Sequence, residues 1–265
     1  MPVATHPAIR AVGGYLRDAR ERRLIWPAQP ADLIRVSEET VLSMEAGHTP
    51  IALWHIELLC QLYHCSDDIP VLKNLASAAM HRSENIADEA PGHHRRLAGC
   101  ARQAREVRWL STALIPPPLQ TAAYARAVGC PSPALPDAPL PSPHTAYVLD
   151  ERILLTDRVA PEVMAPQLQY LLGLDVDELS VVPGRIAAPQ GHLVELRMPA
   201  GPVFARPEHD GVLYLLADMR LSALMSDTWE LITPAASREL LVYAAQEQLS
   251  RAYVHTGAAR CPEPL

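Results

Sequence analysis

Lysine is almost absent from this sequence, and basic residues as a whole are outnumbered by acidic ones. One lysine and 22 arginines stand against 30 acidic residues, which gives a formal net charge of −7. This balance excludes a general binder of nucleic acids or anionic membranes, although a local basic patch would still permit specific contacts. Signal-peptide features and apolar runs of membrane-spanning length are also missing, so we expect a cytoplasmic protein without a membrane partner.

Cysteine is scarce as well, and its spacing favours neither a disulfide framework nor a metal centre. Five cysteines are scattered along the chain without a C-x-x-C pair, a pattern typical of a reduced protein. The segment from His55 to Cys65 contains two His and two Cys, but their spacing differs from the two-plus-two pattern of structural zinc sites. We therefore expect a buried Cys60, a helix-terminal His64, and neither a metal nor a cofactor.

Signatures of the common enzyme families are missing too. Gly13-Gly14 stands alone before a helix, without the strand and further glycines of a dinucleotide or phosphate site. No Gly-x-Ser-x-Gly elbow occurs, and Asp150-Glu151 and His209-Asp210 are interpreted as turns. No catalytic residue can be named from the sequence, and whether the protein is an enzyme stays open.

Helical periodicity, in contrast, is clear in the first 80 residues and predicts a mainly α domain of five helices. Ser37 is a good N-cap for the third helix, Gly47 suits a C-cap with positive φ, and Pro50 opens the fourth helix. The predicted helices lie around Leu16–Arg23, around Ala28–Ile34, from Ser37 to Ala46, at Ile51–Tyr63 and at Leu72–Met80.

The end of the third helix resembles the Xre type of bacterial helix-turn-helix domain. The match is the pattern Met44-Glu45-Ala46-Gly47, with Val36-Ser37 eight residues upstream. The resemblance implies a transcription regulator that binds DNA, with arginines on the phosphates and small hydroxyl side chains in the groove, and a homodimer is expected. The residues that it implies are Arg17, Arg20 and Arg35 for the phosphates, and Ser37, Thr40 and Ser43 for the groove.

The surface that would face DNA nevertheless departs from this pattern. Recognition helices begin with hydrogen-bond donors, whereas Glu38 and Glu39 place two carboxylates there. Between Leu24 and Pro50 the only cation is Arg35, against four acidic residues. Trp26-Pro27 also stands where the second helix of this family normally begins with Thr-Gln. DNA binding is therefore expected to be weakened.

The rest of the chain predicts a second domain. A polar stretch over residues 81–94, ending in Pro91-Gly92, predicts a linker, so the domains are expected at 1–80 and 95–265. The second domain is predicted to be α+β with a small antiparallel sheet. Its proline-rich segment 129–143 excludes a helix, and a plain linker is favoured there over a lid. The predicted helices cover residues 95–110, 161–172 and 233–253, and the predicted strands cover 146–149 and 152–155 (a hairpin), 179–182, 192–197, 203–206 and 212–216.

This second domain resembles the C-terminal domain of actinobacterial regulators of the WhiJ-like group. The residues that match its signature are Pro116, Leu119, Gln120, Thr121, Tyr124, Ala125 and Arg126, followed by blocks at 148–151 with Leu154, at 163–171 and at 181–183. The resemblance implies a domain that senses a small molecule or a small partner protein.

Aromatic residues of this domain are candidates for lining a ligand pocket, because Tyr and Trp combine an apolar body with one polar group. An ordinary core is the favoured alternative. The aromatic candidates are Trp109, Tyr124, Tyr147, Tyr170, Tyr214 and Trp229, and Gln120 is a further, polar candidate.

Two functions are therefore expected. The first is a helix-turn-helix regulator that senses a ligand or partner. The second is a repurposed protein of secondary metabolism with a degenerate DNA-binding domain, which binds a small molecule or acts as a cofactor-free enzyme such as a cyclase.

Overall fold

The computed structural model describes residues 6–80, 85–129, 144–174, 179–183, 186, 188, 190–216 and 219–256. Over these residues the protein is an α+β fold. The α-helices are α1 (Pro7–Arg22), α2 (Ala28–Ile34), α3 (Glu38–Glu45), α4 (Leu53–Leu62), α5 (Ile69–Met80), α6 (His93–Arg102), α7 (Ala122–Ala127), α8 (Pro161–Leu172), α9 (Met219–Glu230) and α10 (Pro234–Thr256). No helix in this part of the chain is both long and apolar enough to cross a bilayer.

The strands form one mixed sheet rather than a small antiparallel one. They are β1 (Asn85–Asp88), β2 (Val107–Ser111), β3 (Thr145–Asp150), β4 (Leu179–Val182), β5 (His192–Met198), β6 (Gly201–Pro207) and β7 (Val212–Leu215), in the order β1-β7-β6-β5-β2-β3-β4. Strand β7 is antiparallel to both β1 and β6, and β6 is antiparallel to β5. Strands β3 and β4 are parallel, with Tyr147 opposite Leu179. The chain is α+β overall, so the predicted fold class is confirmed at that level. The mainly α first domain is only partly matched, because the first unit also contains β1, β6 and β7. The predicted antiparallel sheet is only part of the sheet that the chain forms.

The chain divides into two compact units that are discontinuous in sequence. The first unit contains the described residues of Met1–Arg108, Pro139–Thr145 and Leu193–Ser222. The second unit contains those of Trp109–Ala138, Ala146–His192 and Ala223–Leu265. This division does not follow the expected boundary between residues 80 and 95, because the segment after residue 80 contributes to the first unit.

The expected linker contains a strand and the start of a helix. Strand β1 pairs with β7, and Asp88 in it is fully buried. Arg96 of α6 donates two hydrogen bonds to the Asp88 carboxylate and others to the carbonyls of Ala90 and Pro91. These bonds hold the polar segment against the first unit, so the residues described between 85 and 94 do not form a linker.

Helix α1 is the centre of the first unit, where it packs against α3, α5 and α6. Its apolar residues Ile9, Val12 and Leu16 are buried at helical spacing. A Cβ at Gly13 would lie 2.4 Å from the Met44 carbonyl oxygen. Only glycine therefore permits the observed approach of α1 to α3.

In the second unit, α8 and α10 pack against each other, and α10 also packs on β4. The core contains Tyr124, Leu149, Met164 and Leu168. Gln167 is fully buried, accepts a hydrogen bond from Thr121 N and donates one to the Leu119 carbonyl. It thereby joins α8 to the turn before α7.

Strong local signals were enough to predict several elements. The predicted bounds of α2, α8 and β4 match those observed, Ser37 caps α3, and Gly47 has φ of 79°. The helix predicted over 95–110 is confirmed only as far as Arg102, because α6 ends there and β2 follows. The hairpin predicted at 152–155 is wrong, because Glu151–Ile153 is a 3-10 helix. Of the proline-rich segment, residues 130–143 lie outside the described part of the chain.

Candidate functional site

Three aromatic rings meet at the strands of the second unit, and we name them the ring cluster. The Trp109 ring of β2 lies 6.3 Å from the Tyr147 ring of β3, with an interplanar angle of 28°. The His192 ring, at the start of β5, lies 6.0 Å from Trp109 and meets it edge-on. All three side chains are half-buried, so the cluster is only partly covered by the protein.

A hydrogen bond to a buried serine holds the histidine of the ring cluster in place. Ser111 lies two residues after Trp109 in β2, so both side chains are on the same face of the strand. Ser111 is fully buried, and its Oγ lies 2.9 Å from His192 Nδ1. Burial lowers the pKa of His192 to about 4. The imidazole is therefore neutral at pH 7, and Nε2 takes the donor or acceptor role that Nδ1 does not.

The end of β2 is held to the residue before His192. Thr112 N donates to the Gly191 carbonyl at 3.0 Å, and Gly191 N donates to Thr112 Oγ1 at 3.2 Å. Gly191 has φ of 109°, a conformation that other residues rarely adopt. These contacts explain why Ser111 and His192, far apart in sequence, are in register.

The Ser111–His192 pair does not make a catalytic triad with an acid. In the described part of the chain, His192 has neither a hydrogen bond nor an ion pair with a carboxylate. A serine that is activated for nucleophilic attack needs an oriented base of higher pKa than this one. The arrangement suits a fixed polar contact within an aromatic site.

The other pocket candidates have different surroundings. Tyr124 is fully buried in the core, where its hydroxyl accepts a hydrogen bond from Ile115 N. Gln120 donates to the Ile115 carbonyl, and its Oε1 is buried without a hydrogen bond. Tyr214 is buried in the first unit, whereas Tyr170 is 44% exposed. Trp229 is half-buried on α9.

Ser111 and His192 were not singled out from the sequence. The available signals were the Trp-x-Ser spacing and a histidine that opens a predicted strand. The helix predicted over 95–110 obscures the first signal, because Trp-x-Ser spacing is informative only in a strand. The structure thus brings two of the seven candidates, Trp109 and Tyr147, together with two residues that pattern analysis missed.

Among the predicted DNA contacts, Arg20 has a structural position instead. Its guanidinium is buried and donates to both oxygens of Glu45 at 2.8 Å, and to the Ile25 carbonyl at 2.9 Å. Tyr63 also donates to Glu45. Arg20 therefore joins α1 to α3 and is not placed to contact a phosphate.

The remaining predicted DNA contacts are mostly occupied by local interactions. Arg17 pairs with Glu21 at 2.8 Å, and Arg35 is exposed with φ of 58°. The three predicted groove contacts, Ser37, Thr40 and Ser43, make local hydrogen bonds. Ser37 Oγ accepts from Thr40 N and lies 2.8 Å from Thr40 Oγ1. Ser43 Oγ lies 2.7 Å from Thr49 Oγ1. Glu38 and Glu39 are exposed.

Large apolar side chains are exposed on and beside the same helices. Leu24 and Trp26, between α1 and α2, are 86% and 77% exposed. Leu33 of α2 and Leu42 of α3 are also exposed. We call the exposed side chains between Ala28 and Glu45 the α2–α3 surface, and they include Asp32, Leu33, Arg35, Glu38, Glu39 and Leu42. Arg35 is the only cation in this part of the chain, so the surface is mainly acidic and apolar, which is unfavourable for a phosphate backbone.

Two open grooves lie elsewhere on the second unit. One, of about 750 Å³, follows α10 past Pro234, Arg238 and Tyr243. The other, of about 590 Å³, lies between α10 and Thr156–Pro161. Neither is lined by a residue of the ring cluster. In the described residues, no three His, Cys, Asp or Glu side chains are grouped to hold a metal ion, and the absence of a metal stays a prediction.

Comparison with known proteins adds no assignment. No protein-family model, curated protein or solved structure matches the chain. The resemblance to Xre-type and WhiJ-like regulators therefore stays a prediction, and the ring cluster and the α2–α3 surface carry the functional conclusions.

Proposed function

We propose that the second unit binds a small, largely apolar molecule at the ring cluster. The observation that carries this proposal is the meeting of three half-buried rings, in which Trp109 contacts both Tyr147 and His192 and Ser111 holds the histidine in place. Aromatic faces give contact area at little entropic cost, and a few fixed polar groups orient a ligand. These are the usual components of a small-molecule site.

The electrostatics of the cluster indicate an uncharged ligand. His192 is neutral at pH 7 because burial lowers its pKa to about 4. Trp109 and Tyr147 are uncharged as well, and both have flat faces that suit a planar or conjugated molecule. His192 Nε2 provides one hydrogen bond, so a neutral ligand with a single carbonyl or hydroxyl group near its end fits this chemistry best.

Fluorine NMR on protein labelled with 5-fluorotryptophan tests the proposal. The chain has four tryptophans, and Trp→Phe variants assign their resonances. We expect neutral conjugated carbonyl compounds and phenols to shift the Trp109 resonance in a saturable manner. Trp26 and Trp54 are 77% and 57% exposed and serve as internal controls for non-specific binding.

A panel that shifts only the Trp26 or Trp54 resonance would contradict a site at the ring cluster. The matched variant is His192→Phe, which keeps an aromatic ring but removes Nε2. This substitution should lower the affinity for a specific ligand about tenfold, which corresponds to the loss of one buried hydrogen bond.

The second candidate is a helix-turn-helix regulator that carries this ligand site. It is favoured by the arrangement of α2 and α3, which are joined by Arg35 in a left-handed conformation and by the N-cap Ser37. The burial of Arg20 and the exposed Glu38 and Glu39 oppose it. A homodimer and a small partner protein belong to this candidate through the family resemblance alone.

A cofactor-free enzyme of secondary metabolism, such as a cyclase, is the extension of the ligand-binding proposal. In such an enzyme the ring cluster would hold a flexible apolar substrate in a reactive conformation. His192 would orient one carbonyl or hydroxyl group without transferring a proton, because its low pKa makes it a weak base. Turnover of a compound that first shifts the Trp109 resonance would distinguish this enzyme from a sensor.

A further inference from the structure

Helix α4 ends in a way that brings two cysteines together. His64 follows the helix with φ of 53°, a left-handed conformation. His64 N donates to the Gln61 carbonyl at 3.2 Å, and Cys65 N donates to the Cys60 carbonyl at 2.9 Å. This pair of hydrogen bonds defines a Schellman motif, in which the side chains at the Cys60 and Cys65 positions normally make contact. The position usually taken by an apolar pair is taken here by two thiols.

The two thiols differ in exposure and environment. Cys60 is fully buried, whereas Cys65 is half-buried. The hydrogen bond from Cys60 lowers the pKa of Cys65, and the guanidinium groups of Arg95 and Arg23 act in the same direction. The same hydrogen bond, together with burial, raises the pKa of Cys60. A thiolate therefore forms first at Cys65, the sulfur that reagents can reach.

We propose that Cys60 and Cys65 are a redox-sensitive dithiol that a hydroperoxide converts to an intramolecular disulfide. The Cys65 thiolate attacks one peroxide oxygen, the O–O bond breaks, and Cys65 becomes a sulfenic acid while hydroxide or alkoxide leaves. The Cys60 sulfur then attacks the Cys65 sulfur, and the S–S bond forms as water leaves with the Cys60 proton. Overall, two thiols are oxidised to one disulfide. Hydrogen peroxide is reduced to two waters, and an organic hydroperoxide is reduced to one water and one alcohol.

The position of this dithiol connects it to a buried ion-pair network. Asp68, three residues after Cys65, accepts hydrogen bonds from Tyr15 of α1 and from Arg95 and Arg96 of α6. Forming the S–S bond removes the Cys65 thiolate, whose negative charge Arg95 and Arg23 stabilise. Oxidation thus acts next to the contacts that join α1, α5 and α6 in the first unit.

Thiol mapping by mass spectrometry tests the proposal on the wild-type chain. Protein kept in a chelator is treated with hydrogen peroxide, alkylated and digested. We expect a peptide in which Cys60 and Cys65 are linked, about 2 Da lighter than the dithiol, and restored by dithiothreitol. Cys100, whose pKa burial raises to about 12, should stay fully alkylatable after denaturation and is the matched internal control.

Variants separate the role of Cys65, which attacks the peroxide, from that of Cys60, which forms the disulfide. In Cys60→Ser, dimedone should trap a sulfenic acid at Cys65, whereas in Cys65→Ser, Cys60 should stay unmodified. Because Cys60 is buried, circular dichroism must show that its variant is folded. The wild-type peptide map does not depend on either variant. Full alkylation of both thiols after peroxide, or a disulfide from Cys65 to Cys130 or Cys261 instead of Cys60, would overturn the proposal.

Discussion

The two units use buried polar groups in different ways. Of the buried Arg, Asp and Glu side chains in the described residues, all but Asp150 belong to the first unit. The other buried polar side chains of the second unit are neutral. Gln167, Ser237 and Gln248 bond to backbone atoms, and Ser111 bonds to the His192 ring. The first unit therefore uses its cations for internal ion pairs, and the second unit places an aromatic site among uncharged groups.

This difference bears directly on function. A DNA-binding surface needs cations that are free to displace counterions from phosphates, yet Arg20, Arg96 and Arg102 are paired with carboxylates inside the first unit. A site for an uncharged ligand needs polar groups that do not attract ions, and Ser111 and His192 meet that requirement. The contrast favours ligand binding by the second unit over DNA binding by the first.

The largest effect is expected from breaking the charge network of the first unit at Arg96. All five N–H donors of Arg96 are bonded, to Asp68, Asp88 and two carbonyls. Arg96→Met would leave the buried Asp88 carboxylate without its ion pair and would take one of two arginines from Asp68. Leaving a buried charge unpaired should cost about 3–5 kcal/mol in unfolding free energy. Urea unfolding measures this loss.

The control for Arg96 is its neighbour Arg95, which pairs with the same Asp68 from an exposed position. Arg95→Met should cost no more than about 1 kcal/mol, because exposed pairs are screened by solvent. Equal losses in the two variants would mean that burial of the charge is not what stabilises this unit.

The second effect concerns pH and the neutral histidine of the ring cluster. The pKa of folded His192, about 4, lies below its ordinary value of 6.5, so the unfolded chain binds the proton first as the pH falls. The stability from neutral His192 is complete above about pH 6.5 and is lost as the pH falls toward 4. Between pH 7 and pH 5, the unfolding free energy should fall by about 2 kcal/mol through His192 alone.

Urea midpoints of the wild type and of His192→Gln at both pH values measure the histidine contribution. The variant should lose about 2 kcal/mol less than the wild type on acidification, because all other titrating groups are common to both chains. Parallel losses in the two proteins would show that His192 is not held neutral by burial.

The third prediction compares the loss of a neutral buried side chain, Gln167, with the loss of the charged Arg96. Gln167→Leu removes the acceptor of Thr121 N and the donor to the Leu119 carbonyl. We expect a loss of about 1–3 kcal/mol, since two backbone groups lose their partners but no charge is left buried. A loss as large as that of Arg96→Met would remove the distinction between the units.

The sequence was sufficient where a signal is local and insufficient where a partner is distant. The N-cap Ser37 and the first-turn Pro161 mark the starts of α3 and α8, and both starts were predicted correctly. The sequence of β1 looks polar because Asp88 is one of the two buried side chains of this strand. Asp88 can be buried only because Arg96, in another element, compensates its charge.

The same reason limited prediction of the site. Trp109 and Tyr147 were candidates because aromatic residues are informative by type alone. Ser111 and His192 are 81 residues apart and become a pair only through the folded sheet. The burial of Arg20 was equally hidden, because an arginine on an amphipathic helix looks like a surface residue until Glu45 is placed beside it.

The smallest effect is expected for DNA binding, which tests the first unit rather than the ligand site of the second. With Arg20 buried against Glu45, Arg17 and Arg35 remain of the three predicted phosphate contacts, and Arg17 already pairs with Glu21. Neutralising two phosphates changes log K by only about 1.8 for each tenfold change in salt. We predict that random duplex binds more weakly than about 10 μM at physiological salt, below the range of specific complexes.

Fluorescence anisotropy at two salt concentrations measures this affinity, and changing Glu38 to Gln together with Glu39 to Arg provides the matched variant. Both carboxylates are exposed at the start of α3, so the double change should strengthen non-specific binding without affecting the fold. Nanomolar binding of the wild type to a promoter fragment from its own gene neighbourhood would reverse the ranking of the two functions. The phosphate-binding cations would then have to come from outside the α2–α3 surface, because the geometry of Arg20 and Glu45 leaves too few there.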